Sequence, residues 1–262
     1  MIKKNIFIIA LSLLSLFTHA QYRVVNNNAF NKGEKLTYRL GFHSALTGTV
    51  TAGRATLEIT KESPYFNGRP SHHIVVVGKT SGVIEMFYKV NDRFESYVDE
   101  QGIFPWKFER HVRENKYRHD DIVNFRQKEK IAVSLEKTTP IPMYSQDMIS
   151  VFYYARTLDL SSYTQGQSIQ IPFFLDDSVY YSKIVFLERK QIKTKAGTFS
   201  CIGLAPMVAQ GKVFTDAYPI KMWVTDDANH IPVFVEAKLR VGSARVELLT
   251  YEGLSNPTTS RK

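Results

Sequence analysis

A single cysteine, Cys201, stands in 262 residues, so no internal disulfide can form and stability must come from packing. Its neighbours Phe199, Ser200 and Ile202 read as a strand, and a strand thiol in an apolar run is expected to be buried and inert. Long apolar runs are also scarce. After the first twenty residues no stretch reaches the roughly 18 uninterrupted apolar residues that a helical membrane span needs. Metalloprotease, P-loop, Rossmann, nucleophile-elbow and paired-cysteine signatures are missing, so the motifs assign no catalytic residue, no metal site and no cofactor. Acidic residues are the minority: 34 Lys and Arg face 25 Asp and Glu, a formal charge of +9. No internal repeat and no linker divides the chain.

The one apolar run, Ile6 to Phe17, follows Lys3 and Lys4 and ends at Thr18-His19-Ala20. Basic start, apolar core and small terminal residue make residues 1–20 a secretory signal peptide, with cleavage expected before Gln21. No cysteine lies near the cut to carry a lipid. Loss of Lys3 and Lys4 lowers the formal charge by two, to +7. A basic exported protein suits anionic headgroups or acidic glycans, although solubility alone also accounts for such a charge. No nucleic-acid recognition motif is present.

Lys221 to Gly253 is the stretch around which the rest is expected to assemble. Val233, Val235, Ala237, Leu239 and Val241 alternate with Phe234, Glu236, Lys238 and Arg240. Successive strand side chains point to opposite faces, so this spacing gives one apolar face. Gly242-Ser243 reads as a two-residue hairpin turn, after which Ala244, Val246 and Leu248 return. Met222-Trp223-Val224 forms a third strand ahead of the polar loop Asp226 to His230. Each buried Val or Leu contributes roughly 1.5–3 kcal/mol, enough to make this meander a sheet centre.

Elsewhere the same alternation predicts strands at 34–42, 49–60, 72–79, 92–99, 103–114, 121–125, 130–135, 169–175, 179–189 and 198–204. Ser81 to Tyr88 suggests a short helical turn. Met148, Phe152 and Ala155, at three- and four-residue spacing, predict the one main α-helix over 146–160, capped by Ser145 or Asp147. Gln21 to Asn31 and Asn256 to Lys262 read as a loose lead-in and a frayed tail. The expected fold is therefore all-β and mainly antiparallel. It is a highly curved open half barrel of ten or more strands, with that helix against the sheet, in one domain over 21–262.

Several stretches then resemble a known family. They are Gly33 to Tyr38 with Ala52-Gly53-Arg54-Ala55, Asn91 to Asp99, Gln146 to Arg156, Lys195 to Phe199, and Trp223 to Pro232 with Val241-Gly242-Ser243. Together they are similar to the bacterial domain of unknown function 3108, over nearly the whole mature chain. The resemblance implies export from bacteria, often those with an outer membrane, and carries no established reaction.

Charged residues suggest little chemistry of their own. His72 and His73 sit on opposite strand faces and cannot form one chelate. His119-Asp120-Asp121 has metal-compatible ligands but reads as a solvated turn. Asp226-Asp227-Ala228-Asn229 lacks the central glycine and distal glutamate of a calcium loop and reads as a self-bonded hairpin loop. Glu34, Asp92, Glu95 and Asp99 would suit a glycosidase acid–base pair only if they converged; ion pairs Asp92–Arg93 and Asp147–Arg156 are the expected alternative.

The aromatics, 13% of the chain, point further. Adjacent pairs such as Phe173-Phe174 and Tyr180-Tyr181 face both sides of a strand, as when a sheet curves round an apolar ligand or is covered by another layer. A concave side plugged by the helix is the expectation, with a hollow one as the alternative. The candidate ligand-binding residues are Phe104, Trp106, Phe152, Tyr153, Phe173, Tyr181 and Trp223. The leading expectation is a non-enzymatic periplasmic or envelope protein that binds a lipid-like, apolar or amphipathic component. An envelope assembly scaffold that pairs through exposed strand edges is the second reading, and a hydrolase of envelope glycans or lipids the third.

Overall fold

The computed structural model describes residues 21–207 and 216–262. The signal peptide expected at 1–20 lies outside the described residues. In chain order the elements are β1 (Lys35–Ser44), β2 (Gly48–Ile59), β3 (Tyr65–Phe66), β4 (Arg69–Thr80), α1 (Gly82–Phe87), β5 (Asn91–Asp99), β6 (Pro105–Glu114), β7 (Tyr117–Arg126), β8 (Ile131–Val133) and β9 (Thr138–Pro140). There follow α2 (Ser150–Arg156), β10 (Ser168–Leu175), β11 (Ser178–Thr194), β12 (Gly197–Pro206), β13 (Ile220–Thr225), β14 (Pro232–Lys238) and β15 (Ser243–Glu252).

All fifteen strands join in antiparallel pairs, along the path β10-β11-β12-β13-β14-β15-β1-β2-β4-β5-β6-β7-β8-β9, with β3 on β4. The late meander β13–β15 does occupy the middle of the sheet, because β15 pairs with β1, Lys35 opposite Glu252. The edges β9 and β10 do not pair, so the half barrel stays open. The segment before α2 spans the seam instead: Gln146 N donates to Pro172 O at 3.0 Å and accepts from Phe174 N at 2.8 Å through its carbonyl. Side chains cross it too, with the rings of Phe125 and Phe174 5.9 Å apart and Arg110 donating to Asp176 at 2.9 Å.

The buried side chains form three clusters. One gathers Ile74, Val98, Phe108, Val123 and Phe125 from β4–β7 around Phe30 and Tyr153. A second packs Leu36, Tyr38, Phe199, Trp223, Val233 and Leu248. The third sets Ile171, Ile184, Phe186, Leu204 and Val224 of β10–β13 against Leu160 and the flank of α2. Helix α2 thus stands between two of the clusters.

Several boundaries differ from the sequence reading, mostly where polar groups take tertiary partners. Helix α2 covers seven residues rather than 146–160. The backbone of Gln146 bridges to β10, and Asp147 accepts from Ile149 N at 2.8 Å and Ser150 N at 2.7 Å, which starts the helix late. The β14–β15 turn holds four residues, Leu239 to Gly242, since Lys238 pairs with Ser243; Gly242 takes φ +70°, a conformation that suits glycine. The lead-in is anchored: Val25 N donates to Gln101 O at 2.7 Å, and Ala29 and Phe30 are buried. The tail is anchored as well, with Ser200 N on Ser260 O at 2.8 Å and Lys262 N on Thr198 O at 2.9 Å.

Candidate functional site

Residues 151, 152, 155 and 156 fall on one face of α2. That face looks onto alternate residues of three neighbouring strands: Ser182 and Ile184 of β11, Leu204 and Pro206 of β12, Met222 and Val224 of β13. The two surfaces do not meet everywhere. Between them, with Met148 and Leu160 also in the lining, lies a cavity of about 210 Å³. The expected plug is therefore incomplete. Its wall is aliphatic except for Phe152, Ser182, Arg156 and His230, and the Arg156 guanidinium is bonded to Glu34, Ala29 and Asn229. The His230 ring donates through Nδ1 to the Arg156 carbonyl at 2.8 Å, if its tautomer is assigned from that contact. A purely apolar cavity of ~150 Å³ stays dry and takes up benzene, so this larger void has room for an apolar group. Met148 and Met222 line it with side chains that adapt to irregular guests.

The foot of α2 is held by a buried charge pair. Arg156 Nη1 and Nη2 donate to Glu34 Oε1 and Oε2 at 2.6 and 2.7 Å, and both side chains are almost wholly withdrawn from solvent. Nε and Nη2 also donate, to Asn229 O at 3.0 Å and to Ala29 O at 3.1 Å respectively. The rings of Phe30, Phe152 and Tyr153 surround the cation at 5.2–5.8 Å. Four of the five N–H donors are satisfied and each guanidinium nitrogen makes at least one hydrogen bond, the pairing a buried guanidinium needs.

The head of α2 is held by Asp147, fully buried, which also accepts from Ser96 Oγ at 2.5 Å. Burial pushes its carboxyl up to about 6, against the hydrogen bonds from Ser150, Ser96 and Ile149 that pull it down. Because the folded state holds this proton more tightly than the unfolded one, Asp147 adds stability below its ordinary range near 3.8. That contribution is lost as pH rises through about 6. Asp147→Asn keeps an acceptor for both backbone donors and removes the cost of charging. Urea titrations are expected to show the variant gaining about 2 kcal/mol over wild type between pH 4 and pH 8. An equal difference at both pH values would contradict this reading.

Of the seven aromatic candidates, only Phe152 lines the cavity. Tyr153, next to it, points into the first cluster, 4.9 Å from Phe30, with its hydroxyl unpartnered. Phe104 and Trp106 meet 5.0 Å apart under Tyr22, at the β5–β6 hairpin. Trp223 lies opposite Met222 and Val224 across β13, 5.8 Å from Phe234 and with Lys190 Nζ 4.3 Å above its ring. Phe173 rests on Tyr180, and Tyr181 is exposed. The seven do not converge. Most of the lining residues missed from the sequence are aliphatic, with Arg156, Ser182 and His230 beside them; the aliphatic signal was the alternation Met222/Val224 and the helical spacing of Met148, Val151 and Ala155.

The charged candidates disperse. Asp92 accepts from Arg113 N at 2.8 Å rather than pairing with Arg93, and Asp147 does not pair with Arg156. Asp99 takes the fork of Arg69 at 2.5 and 2.7 Å. Glu95 is bonded to Arg93 at 2.6 Å and to His73 at 2.5 Å. His119-Asp120-Asp121 forms part of β7, not a turn, with Asp120 paired to Arg113 and Asp121 to Arg110. Glu95, Glu109 and His111 bring ligand atoms within 4.8 Å of one another. Arg93 and Lys107 already neutralise the two carboxylates, which disfavours a cation there. Asp227 accepts from Asn229 N at 3.1 Å and Thr225 Oγ1 at 2.8 Å, a turn closed on itself, and also holds Ser260. Cys201 is buried, which pushes its thiol up to about 12.

Comparison with known proteins places the fold. The model of the family described as protein of unknown function (DUF3108) matches residues 36–249. A β-barrel-like protein of the domain of unknown function DUF1849 from Brucella abortus superposes with a TM-score of 0.56 at 10% identity, covering 88% of this chain and 99% of its own. At a TM-score of 0.37, a putative lipoprotein from Parabacteroides distasonis (13% identity) covers 88% of this chain and 100% of its own. A putative exported protein with a YmcC-like fold from Bacteroides fragilis (10% identity) gives the same score and coverages. No curated protein matches the sequence. Among the described residues no helix is long and apolar enough to cross a membrane.

Proposed function

We propose, for a chain that belongs to the DUF3108 family, a non-catalytic role outside the cytoplasm: binding the apolar part of an amphipathic envelope component in the cavity under α2. The observation that carries this reading is the void itself, walled mainly by apolar side chains of α2, β11, β12 and β13. Its size, about 210 Å³, is below the ~300–1,000 Å³ of sites that enclose whole drug-sized ligands. It suits one end of an acyl chain, with a polar headgroup left outside. Each methylene transferred there from water gains about 0.8 kcal/mol. The signal peptide read at 1–20 supplies the route of export.

The scaffold reading receives less support. Strand β9 has three residues and ends on Pro140, and β10 is partly covered by Gln146. Neither offers a long open ladder for a partner strand.

Filling the void tests the proposal. Ala155→Phe places a ring in the cavity from the helix side. Native mass spectrometry of the purified wild-type protein should show a copurifying amphiphile or uptake of added fatty acid. The variant should lose at least ten-fold in occupancy while unfolding at a similar temperature. Equal loading of both proteins, or no loading of wild type by any amphiphile, would count against the site.

A further inference from the structure

Strands alternate in direction along the sheet, so the connections β1–β2, β4–β5, β6–β7 and β14–β15 all lie at one end of the half barrel. Water-facing apolar side chains collect there. Leu46 is 98% exposed, Met86 83%, Phe87 79%, Val241 75% and Val83 68%. Helix α1, which carries three of them, buries no residue at all. Isolated exposed apolar residues are ordinary, but five on adjoining tips of one rim are not.

The same tips carry cations. Lys79 and Lys89 flank α1, Lys116 sits in the β6–β7 turn and Arg240 in the β14–β15 turn, and none of the four makes an ion pair among the described residues. Glu85, Asp92 and Glu114 are the acids at these tips; Asp92 accepts from Arg113 N at 2.8 Å and Glu114 from the Tyr88 hydroxyl at 2.8 Å. Apolar side chains projecting beyond a ring of unpaired lysine and arginine match an anionic interface, where the former enter the acyl boundary and the latter meet phosphates. A protein groove would need one continuous apolar ridge. Here three of the five apolar side chains sit on α1 and the other two on separate tips, with cations between them.

We infer that this rim docks the protein on an anionic lipid bilayer. The cavity extends toward this rim through Ser182 of β11, Met222 of β13 and Pro206 at the rim-ward end of β12, so docking would bring that end of the cavity toward the lipid surface. The docking surface shares no residue with the cavity wall, and the two can fail separately.

Flotation of the purified protein with phosphatidylcholine vesicles, with and without phosphatidylglycerol, tests the inference. Wild type should float with the anionic vesicles, less so at high salt, and remain behind with the neutral ones. Met86→Asp with Phe87→Asp should lower binding at least ten-fold. Lys79→Glu with Lys89→Glu should do the same on anionic vesicles, at roughly five-fold or more for each cation removed. Neither pair of substitutions touches a buried side chain, so circular dichroism and amphiphile loading of the cavity should match wild type. Failure of wild type to float with either vesicle would overturn the inference, as would unchanged flotation of both variants. So would a discrete protein adduct from crosslinkers placed at residue 86 in the absence of vesicle binding.

Discussion

Replacing Arg156 by Met should cost roughly 3–5 kcal/mol, because it strands the Glu34 carboxylate in the interior with no counter-charge. At ~2–4 °C per kcal/mol for a chain of this size, the thermal midpoint should fall by about 6–20 °C. The loss concerns the helix as much as the charge. Arg156 links α2 to Ala29 of the lead-in and to Asn229 of the β13–β14 loop, two segments more than seventy residues away in sequence on either side. Glu34→Leu combined with Arg156→Met should recover much of the loss, since an apolar pair needs no compensation. Urea unfolding of the two single variants and the double one measures this directly. A double variant as unstable as the sum of the singles would contradict it.

Gly53→Val should be of similar size, about 3 kcal/mol or more, by a different route. Gly53 lies in β2 opposite Thr80 of β4, and a Cβ there would fall within 3.0 Å of the Lys79 carbonyl. The obstacle is backbone of a paired strand and cannot rotate aside. The strain would spread to the connection carrying α1, because Ser81 N donates to Ala52 O at 3.1 Å. Gly78→Ala, in the same strand pair, meets nothing within 4 Å and should stay within about 0.5 kcal/mol of wild type. Thermal unfolding of the two glycine variants separates them; a tolerated valine at 53 would show that the strands are not held at this distance.

Strands were legible because a half-buried strand writes its period of two into the sequence. β1, β2, β5, β6 and β10 start and stop within two residues of the alternation at Leu36, Ala55, Phe94, Phe108 and Ile171. The position of β13–β15 near the middle of the sheet was legible for the same reason. The ends of α2 and of the chain were not, since Gln146, Asp147 and Ser260 take partners on distant elements that no local pattern announces. The same holds for charge pairing: Arg156 chooses Glu34, 122 residues distant, over the nearby Asp147.

The cavity was hidden for another reason. Aromatic pairs on strands point to ligand contacts, yet Phe104, Trp106, Tyr153 and Trp223 spend their bulk filling the core. A void arises where side chains are too short to meet, and here those are Ala155, Ser182, Val224 and their aliphatic neighbours. Spacing reveals which residues share a face; it does not reveal whether two faces touch.

The most direct measurement is methyl NMR of the methionines while a fatty acid with a spin label near its chain terminus is added. Met148 and Met222 line the cavity and Met86 stands on the rim. Selective broadening of Met148 and Met222 at substoichiometric ligand, abolished in Ala155→Phe, is the expected result. Broadening confined to Met86, or none at any methionine, would mean that the space beneath α2 takes no acyl chain.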